Sequence, residues 1–194
     1  MKRIIFAGII IFAFISCQSG QNKNQANEIV NASNKEVTQV ILKDYGAEPL
    51  VVDIEEYTLK NETFRTTIWT GNNLQLTVMS IPVGGEVGLE MHTDIEQFLR
   101  IEEGEAEVLM GDDKDNLNFV RKAGDDDAIF VPTGKWHNVI NKGDKPLKIY
   151  SIYAKPEHPH GTVHKDKAES DAAHHDHHDH NGDHEHNDEH HEHK

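Results

Sequence analysis

Between Leu50 and Lys155 the chain is cut into short alternating runs by turn-forming clusters, and this spacing restricts the fold more than any other feature. The run LQLTVMSI, Leu74 to Ile81, follows the turn signal TGNN and puts Leu74, Leu76 and Val78 on one face. QFLRI, AEVLM, LNFV, AIFVP, NVI and LKIYSIY follow, parted by Gly, Asn, Asp and Pro. Strands this short, spaced this regularly over about 100 residues, imply an all-β sandwich or closed barrel, and no helical period competes. The one cysteine, Cys17, cannot form an intramolecular disulfide, so packing alone must hold the domain. A domain of this size can bury an adequate core. No repeat, phosphate loop or serine-nucleophile motif is present.

The two ends have other compositions. MKRIIFAGIIIFAFISCQSG has two basic residues, a dozen apolar and small ones, then Ser16 and Cys17. That run falls short of the roughly 20 residues that span a bilayer, and the layout is that of an export signal. Phe14, Ile15, Ser16 and Cys17 resemble a bacterial lipobox, with Phe14 in place of the usual Leu. The resemblance implies cleavage before Cys17, lipid on it, and a place in the bacterial cell envelope, at the outer membrane facing the periplasm. An uncleaved anchor or an ordinary secretory peptide is the other reading. Residues 18–48 then read as a polar tether. Within it Ile29, Val30, Val37, Val40 and Ile41 fall loosely at helical spacing before Gly46 and Pro49, which predicts a short helix.

Residues 169–194 are expected to form a disordered tail, since no aliphatic or aromatic apolar residue occurs from His174 onward. Thirteen of the 15 histidines lie at or after His158, which leaves only His92 and His137 in the folded middle. The tail histidines, His174, His175, His177, His178 and His180 first, are candidates for weak secondary metal sites. Asp and Glu are interleaved among them, unlike a cloning tag. The net charge of -15 argues against nucleic acid as a partner and is consistent with cations.

Two blocks in the middle carry candidate chemistry. GLEMHTDIEQFLRIEEGE offers Glu90 and His92, two residues apart and so on one face of a strand, and then Gln97 before the Gly104 turn. GDDDAIFVPTGKWHNVIN brings His137 after a Pro and Gly turn. Glu96, Glu102, Glu103 and Glu105 read as a solvated face or turn, and Asp125 to Asp127 as an acidic turn. Trp136 and Tyr150 either line a pocket or belong to the core.

These blocks resemble the two motifs of the cupin superfamily, and more narrowly a group of small bacterial single-domain cupins. The resemblance runs from about Ile54 to Ala168, inside a domain taken as 49–168. In the second block Gly124, Pro132, Gly134, His137 and Asn141 hold the family's positions. In the first, Glu90 stands for the first histidine of the family's His-x-His, and Gln97 for its glutamate, counted both from His92 and back from Gly104. The resemblance implies a double-stranded β-helix, or jelly-roll barrel. It implies a divalent transition metal (Fe, Mn, Ni or Zn) at Glu90, His92, Gln97 and His137.

Two imidazoles and a carboxylate with open positions suit such a metal, particularly Fe(II), and a glutamine oxygen can add a weaker ligand. The other reading is a barrel that has lost its metal and keeps Glu90 and His92 as hydrogen-bonded groups. PEHPHGTVHK, with His158, His160 and His164, is expected to fold back against the barrel mouth. Three functions stay open: a metal-dependent enzyme of oxygenase, isomerase or decarboxylase type acting on a small oxygen-rich molecule, a non-catalytic ligand-binding module, and metal buffering through the tail. The expected partners are a small-molecule ligand, the membrane through lipid on Cys17, and optionally a second copy of the chain.

Overall fold

The structure, a computed structural model, describes residues 39–178, with side chains described to residue 173. Cys17, the export signal, His180 and the helical spacing from Ile29 to Val37 lie outside those residues. Within them, nine strands form two antiparallel sheets. They are β1 (Arg65–Thr70), β2 (Gln75–Ile81), β3 (Glu96–Glu103), β4 (Ala106–Gly111), β5 (Phe119–Ala123), β6 (Ala128–Val131), β7 (Trp136–Asn141), β8 (Leu147–Ala154) and β9 (Val163–His164). The order is β6-β3-β8-β2-β1-β9 in one sheet and β5-β4-β7 in the other. This is the all-β jelly roll that the strand spacing and the motif blocks imply.

Two helices flank the strands, α1 (Ile54–Lys60) and α2 (Lys167–His178). Neither is where a helix was expected. Val40 and Ile41 sit in irregular chain, and the N-terminal helix of the described residues begins later, at Ile54. Asp53 caps α1 by accepting from the Glu56 N–H, with Glu55 and Glu56 in the first turn and Lys60 in the last, as the helix dipole favours. α2 begins two residues before the stretch expected to be disordered and runs into it. Its residues 169–178 are helical because Asp166 accepts from the Glu169 N–H while the Glu169 carboxylate accepts from the Lys165 N–H, a reciprocal cap. Lys167 and Asp171 pair one turn apart, and Ser170 is anchored in the barrel. The side chains of His174, His175, His177 and His178 are not described. No helix among the described residues is long and apolar enough to cross a membrane.

The apolar residues divide into two clusters. Met79, Ile81, Leu99, Ile101, Leu147 and Ile149 of the large sheet meet Ala106, Val108, Met110 and Val139 of the small one between the sheets. Each fully buried aliphatic side chain there contributes about 1.5–3 kcal/mol. The second cluster lies on the outside of β1 and β2. Leu76 and Val78, the face picked out in LQLTVMSI, pack there with Ile68 and Tyr57 and with the irregular segment from Val40 to Val52, while Leu74 is largely exposed. The opposite face of β2, Gln75, Thr77, Met79 and Ile81, looks inward. The interior is therefore apolar at one end and polar at the other. Glu102 differs from its expected solvated position: its side chain is buried and pairs with Arg100 Nη1 at 3.0 Å, because α1 covers that part of the sheet. Asp125 to Asp127 do form a turn, with Asp127 accepting from the Gly124 N–H.

One side chain fastens the barrel end below the site. Asn141, closing β7, donates through Nδ2 to the carbonyls of Ile81, Pro82 and Lys145 at 2.9, 3.1 and 2.9 Å. Asn141→Ala is expected to lower stability by about 1–3 kcal/mol in urea unfolding, the usual cost of stranding buried carbonyls. Asn141→Asp, which keeps the shape but turns a donor into an acceptor, should cost at least as much. Wild-type stability in the Asp variant would show that these bonds do not hold the corner.

Candidate metal centre

Glu90 and His92 lie on the irregular stretch between β2 and β3, and backbone pairing fixes where they face. Glu90 N–H donates to the His137 carbonyl at 3.1 Å and His137 N–H returns a bond to the Glu90 carbonyl at 2.9 Å. The His92 carbonyl accepts from Gly134 N–H at 2.7 Å. Gly134 sits in the Pro–Thr–Gly turn at φ +78, a left-handed conformation that costs glycine little. The turn delivers His137 to the start of β7. Gln97 is the inward residue at the same end of β3, 3 % exposed, while Glu96 faces solvent.

The structure brings all four candidate residues together. The ligand atoms of Glu90, His92 and His137 lie within 4.8 Å of one another, an arrangement able to hold a metal ion. Glu90 Oε1 is 3.3 Å from His137 Nε2 and 3.6 Å from His92 Nε2, and Gln97 Oε1 is 3.0 Å from His137 Nε2. Ligands about 2.0–2.1 Å from a tetrahedral ion stand about 3.3–3.4 Å apart, close to these values. His137 Nδ1 is 2.9 Å from the Lys135 carbonyl, which can only accept, so the proton sits on Nδ1 and Nε2 offers a lone pair. Gln97 Nε2 donates to Ser151 Oγ at 3.0 Å, which turns its oxygen to the same point. Glu90 Oε1 and His92 Nε2 are buried without a hydrogen-bond partner. Lone pairs that face each other in a buried site call for a cation between them, either a proton or a metal.

The electrostatics agree. Burial pushes the Glu90 carboxyl upward, but the imidazoles of His137 and His92 beside it and the charge of Arg65 hold it well below the usual range. Burial pushes His92 downward, yet the neighbouring Glu90 carboxylate, then Glu157, leave it raised. Glu157 escaped the sequence reading, which saw only histidines in PEHPHGTVHK. Its Oε1 lies 3.6 Å from His92 Nδ1, on the far side of the ring from Glu90, and burial raises its carboxyl. A carboxylate behind a ligating imidazole orients the ring and strengthens it as a donor.

The loop that supplies Glu157 does fold back over the barrel. Gln75, fully buried on β2, accepts from the N–H groups of Glu157 and His158 at 3.1 and 2.9 Å and donates to the His158 carbonyl at 2.7 Å. His158 is buried against Tyr153, with ring centroids 5.3 Å apart, and His164 lies 6.4 Å beyond it on β9. His164 stands outside the cluster, as does His160, which is exposed beside Asp44 at 3.4 Å. Trp136 is half-buried on β7, and Tyr150 packs on the outer cluster, so neither joins the site.

Glu157→Gln should weaken metal binding by about 10–100-fold in chelator competition while leaving the fold intact, and an unchanged affinity would remove its orienting role. The pH dependence has opposite signs with and without metal. An unfolded histidine titrates near about 6.5, so the raised His92 stabilises the metal-free protein fully below that pH and loses this as pH rises through its folded value. A metal competes with the same proton, so its affinity should rise over the same interval. Thermal melts of both forms between pH 5.5 and about 8.5 check this, and parallel trends would contradict it.

The comparisons with known proteins point one way. The cupin domain profile matches residues 77–153. The uncharacterized protein YrkC of Bacillus subtilis is 55% identical over 141 residues, 73% of this chain and 76% of that one. The uncharacterized protein L612 of Acanthamoeba polyphaga mimivirus is 37% identical over 114 residues, 58% of this chain and 69% of its own. The crystal structure of BH2720 from Bacillus halodurans, 55% identical, superposes with a TM-score of 0.67 and covers 67% of this chain and 98% of that one. With two motif blocks meeting across a jelly roll, and relatives this similar over this much of their length, the chain belongs to the cupin superfamily.

Proposed function

We propose that the barrel holds one divalent transition metal, Fe, Mn, Ni or Zn, through Glu90, His92 and His137, with Gln97 as a weaker fourth ligand, and presents it to a small oxygen-rich molecule at the cell envelope. The observation that carries this reading is the convergence of buried lone pairs from four side chains, two of whose atoms have no hydrogen bond. A bound ion would supply Lewis acidity and open coordination positions, with the option of oxygen activation if it is Fe.

The chain's own residues do the rest. The Lys135 carbonyl fixes the His137 tautomer, Glu157 orients His92, Ser151 orients Gln97, and Gln75 holds the loop over the site. With one carboxylate among four ligands a divalent ion keeps about one net positive charge, which favours anionic or chelating oxygen ligands. Whether such a ligand is turned over or only held separates the enzyme from the binding module, and product analysis of the metal-loaded protein decides it.

A second reading has its own observation. The histidines of the tail are segregated from the barrel and begin on the helix that leaves it, which suits metal buffering. Elemental analysis distinguishes the two. Chain truncated after residue 173 should retain roughly one metal ion per barrel, and the full-length double variant Glu90→Ala, His137→Ala should lose that ion but keep loosely held tail metal. If truncation removes all metal, the buffering reading replaces the barrel site. For the envelope location we propose lipid on Cys17 as the anchor. Cys17→Ser should move the protein from the membrane fraction to the soluble one, and an unchanged membrane fraction would rule out that anchor.

A further inference from the structure

Beyond the metal cluster, the interior face of the large sheet carries buried polar groups that the ligand set does not use. Arg65 on β1 is 1 % exposed and its Nε has no acceptor. Its Nη1 donates to the neutral hydroxyl of Ser170 at 2.8 Å. Tyr153 on β8 is also 1 % exposed, and its hydroxyl makes no hydrogen bond of ordinary geometry; Ser151 Oγ is nearby but engaged by Gln97 Nε2. Thr77 Oγ1 on β2 is buried and unpartnered as well.

The register relates the three. Arg65 pairs with Met79, Thr77 pairs with Thr67 and Ser151, and Tyr153 pairs with Gln75, so they occupy successive inward levels of three adjacent strands. Thr77 is a diagonal neighbour of each of the other two, about 7–8 Å away at the backbone, while Arg65 and Tyr153, two strands and two levels apart, can meet only through their long side chains. The Arg65 charge acts on Glu90, His92, Tyr153 and Glu157, so the guanidinium shares the cluster's field.

The unused atoms sort by sign. On the loop side they are acceptors, Glu90 Oε1 and His92 Nε2, and acceptors call for a cation. On the sheet side Arg65 Nε can only donate, and the Tyr153 phenol, pushed up to about 12 chiefly by burial, remains a donor at neutral pH. Donors call for an anion. The guanidinium lies over the Phe64 ring at 5.5 Å and hydrogen-bonds only the neutral Ser170 hydroxyl, so its Nε is left for a ligand, and its planar fork matches a carboxylate. A neutral polyol could fill at most one of these donors and could not match the guanidinium's planar fork.

We propose that the barrel binds a small carboxylic acid of the hydroxy- or keto-acid type, its carboxylate held by Arg65 and the Tyr153 hydroxyl beside the Glu90, His92 and His137 cluster. The other end of the ligand rests on the metal reading above, since its hydroxyl or keto oxygen would face the ion. Thr77 Oγ1 adds a further hydroxyl on the same face.

The test uses the full-length chain, loaded with Zn(II) or stripped by chelator, titrated calorimetrically with lactate, pyruvate, lactamide and inorganic phosphate, with metal content measured in parallel. The carboxylates should bind more tightly than lactamide and phosphate. Tyr153→Phe, which removes only a hydroxyl, should weaken them by about tenfold with metal content unchanged. Arg65→Gln should abolish the preference for carboxylate over amide, with circular dichroism reporting that it folds. Metal loading with no such preference, or with Tyr153→Phe binding as wild type does, overturns this inference alone. A preference that persists in a chain unable to load metal in the barrel overturns the metal reading and supports the Arg65 and Tyr153 site. Loss of both overturns both.

Discussion

The pair of backbone hydrogen bonds between Glu90 and His137 is the constraint on which the site depends. These residues are 47 positions apart in the chain, and only reciprocal main-chain pairing brings their side chains to one point in a fixed relation. The neighbouring bond from Gly134 to the His92 carbonyl extends that register. Side-chain aim follows from it: with the backbones locked, Glu90 Oε1 can lie between two imidazoles without a bond of its own. A cluster held by loops alone would spread apart to relieve the facing lone pairs.

What lies beneath the cluster allows this arrangement. The apolar end of the interior, filled by Met79, Ile81, Leu99, Ile101, Leu147 and Ile149, supplies the burial that stabilises the domain without disulfides. The polar end, from Gln75 and Thr77 through Ser151 to Gln97, is freed from that duty. The same strands serve both ends. Moving two residues along β8, from Ile149 to Ser151, crosses from core to site, so the geometry of one is transmitted to the other through a single rigid element.

Much of the barrel was legible because strand alternation and turn chemistry are local. Gln97 could be placed inward because the spacing of the motif that the first block resembles, counted from His92 and back from Gly104, lands on it, and on a strand a one-residue slip would exchange it with Glu96. The residues that escaped are those whose role depends on a distant covering element. Leu76 and Val78 face outward because α1 and the preceding segment cover that surface, and Glu102 is buried for the same reason. Glu157 acts through a loop whose path no local pattern encodes. Arg65 lies in RTTIWT, where a charged residue in a strand usually signals solvent, and only the register with Met79 reveals it as interior. The first turns of the histidine-rich tail are helical through capping residues just ahead of it, which composition does not register.

The grip of Gln75 on the covering loop has a consequence for how such a protein can diversify. Every bond it makes to residues 157 and 158 is to their main chain. The Glu157 side chain carries none of that fastening and can be exchanged by mutation while the loop keeps its place, whereas His158 is also packed against Tyr153. One amide thus separates the job of closing the barrel from the job of shaping what it encloses. The wall above the cluster is a stretch where new chemistry can be sampled without first losing the scaffold.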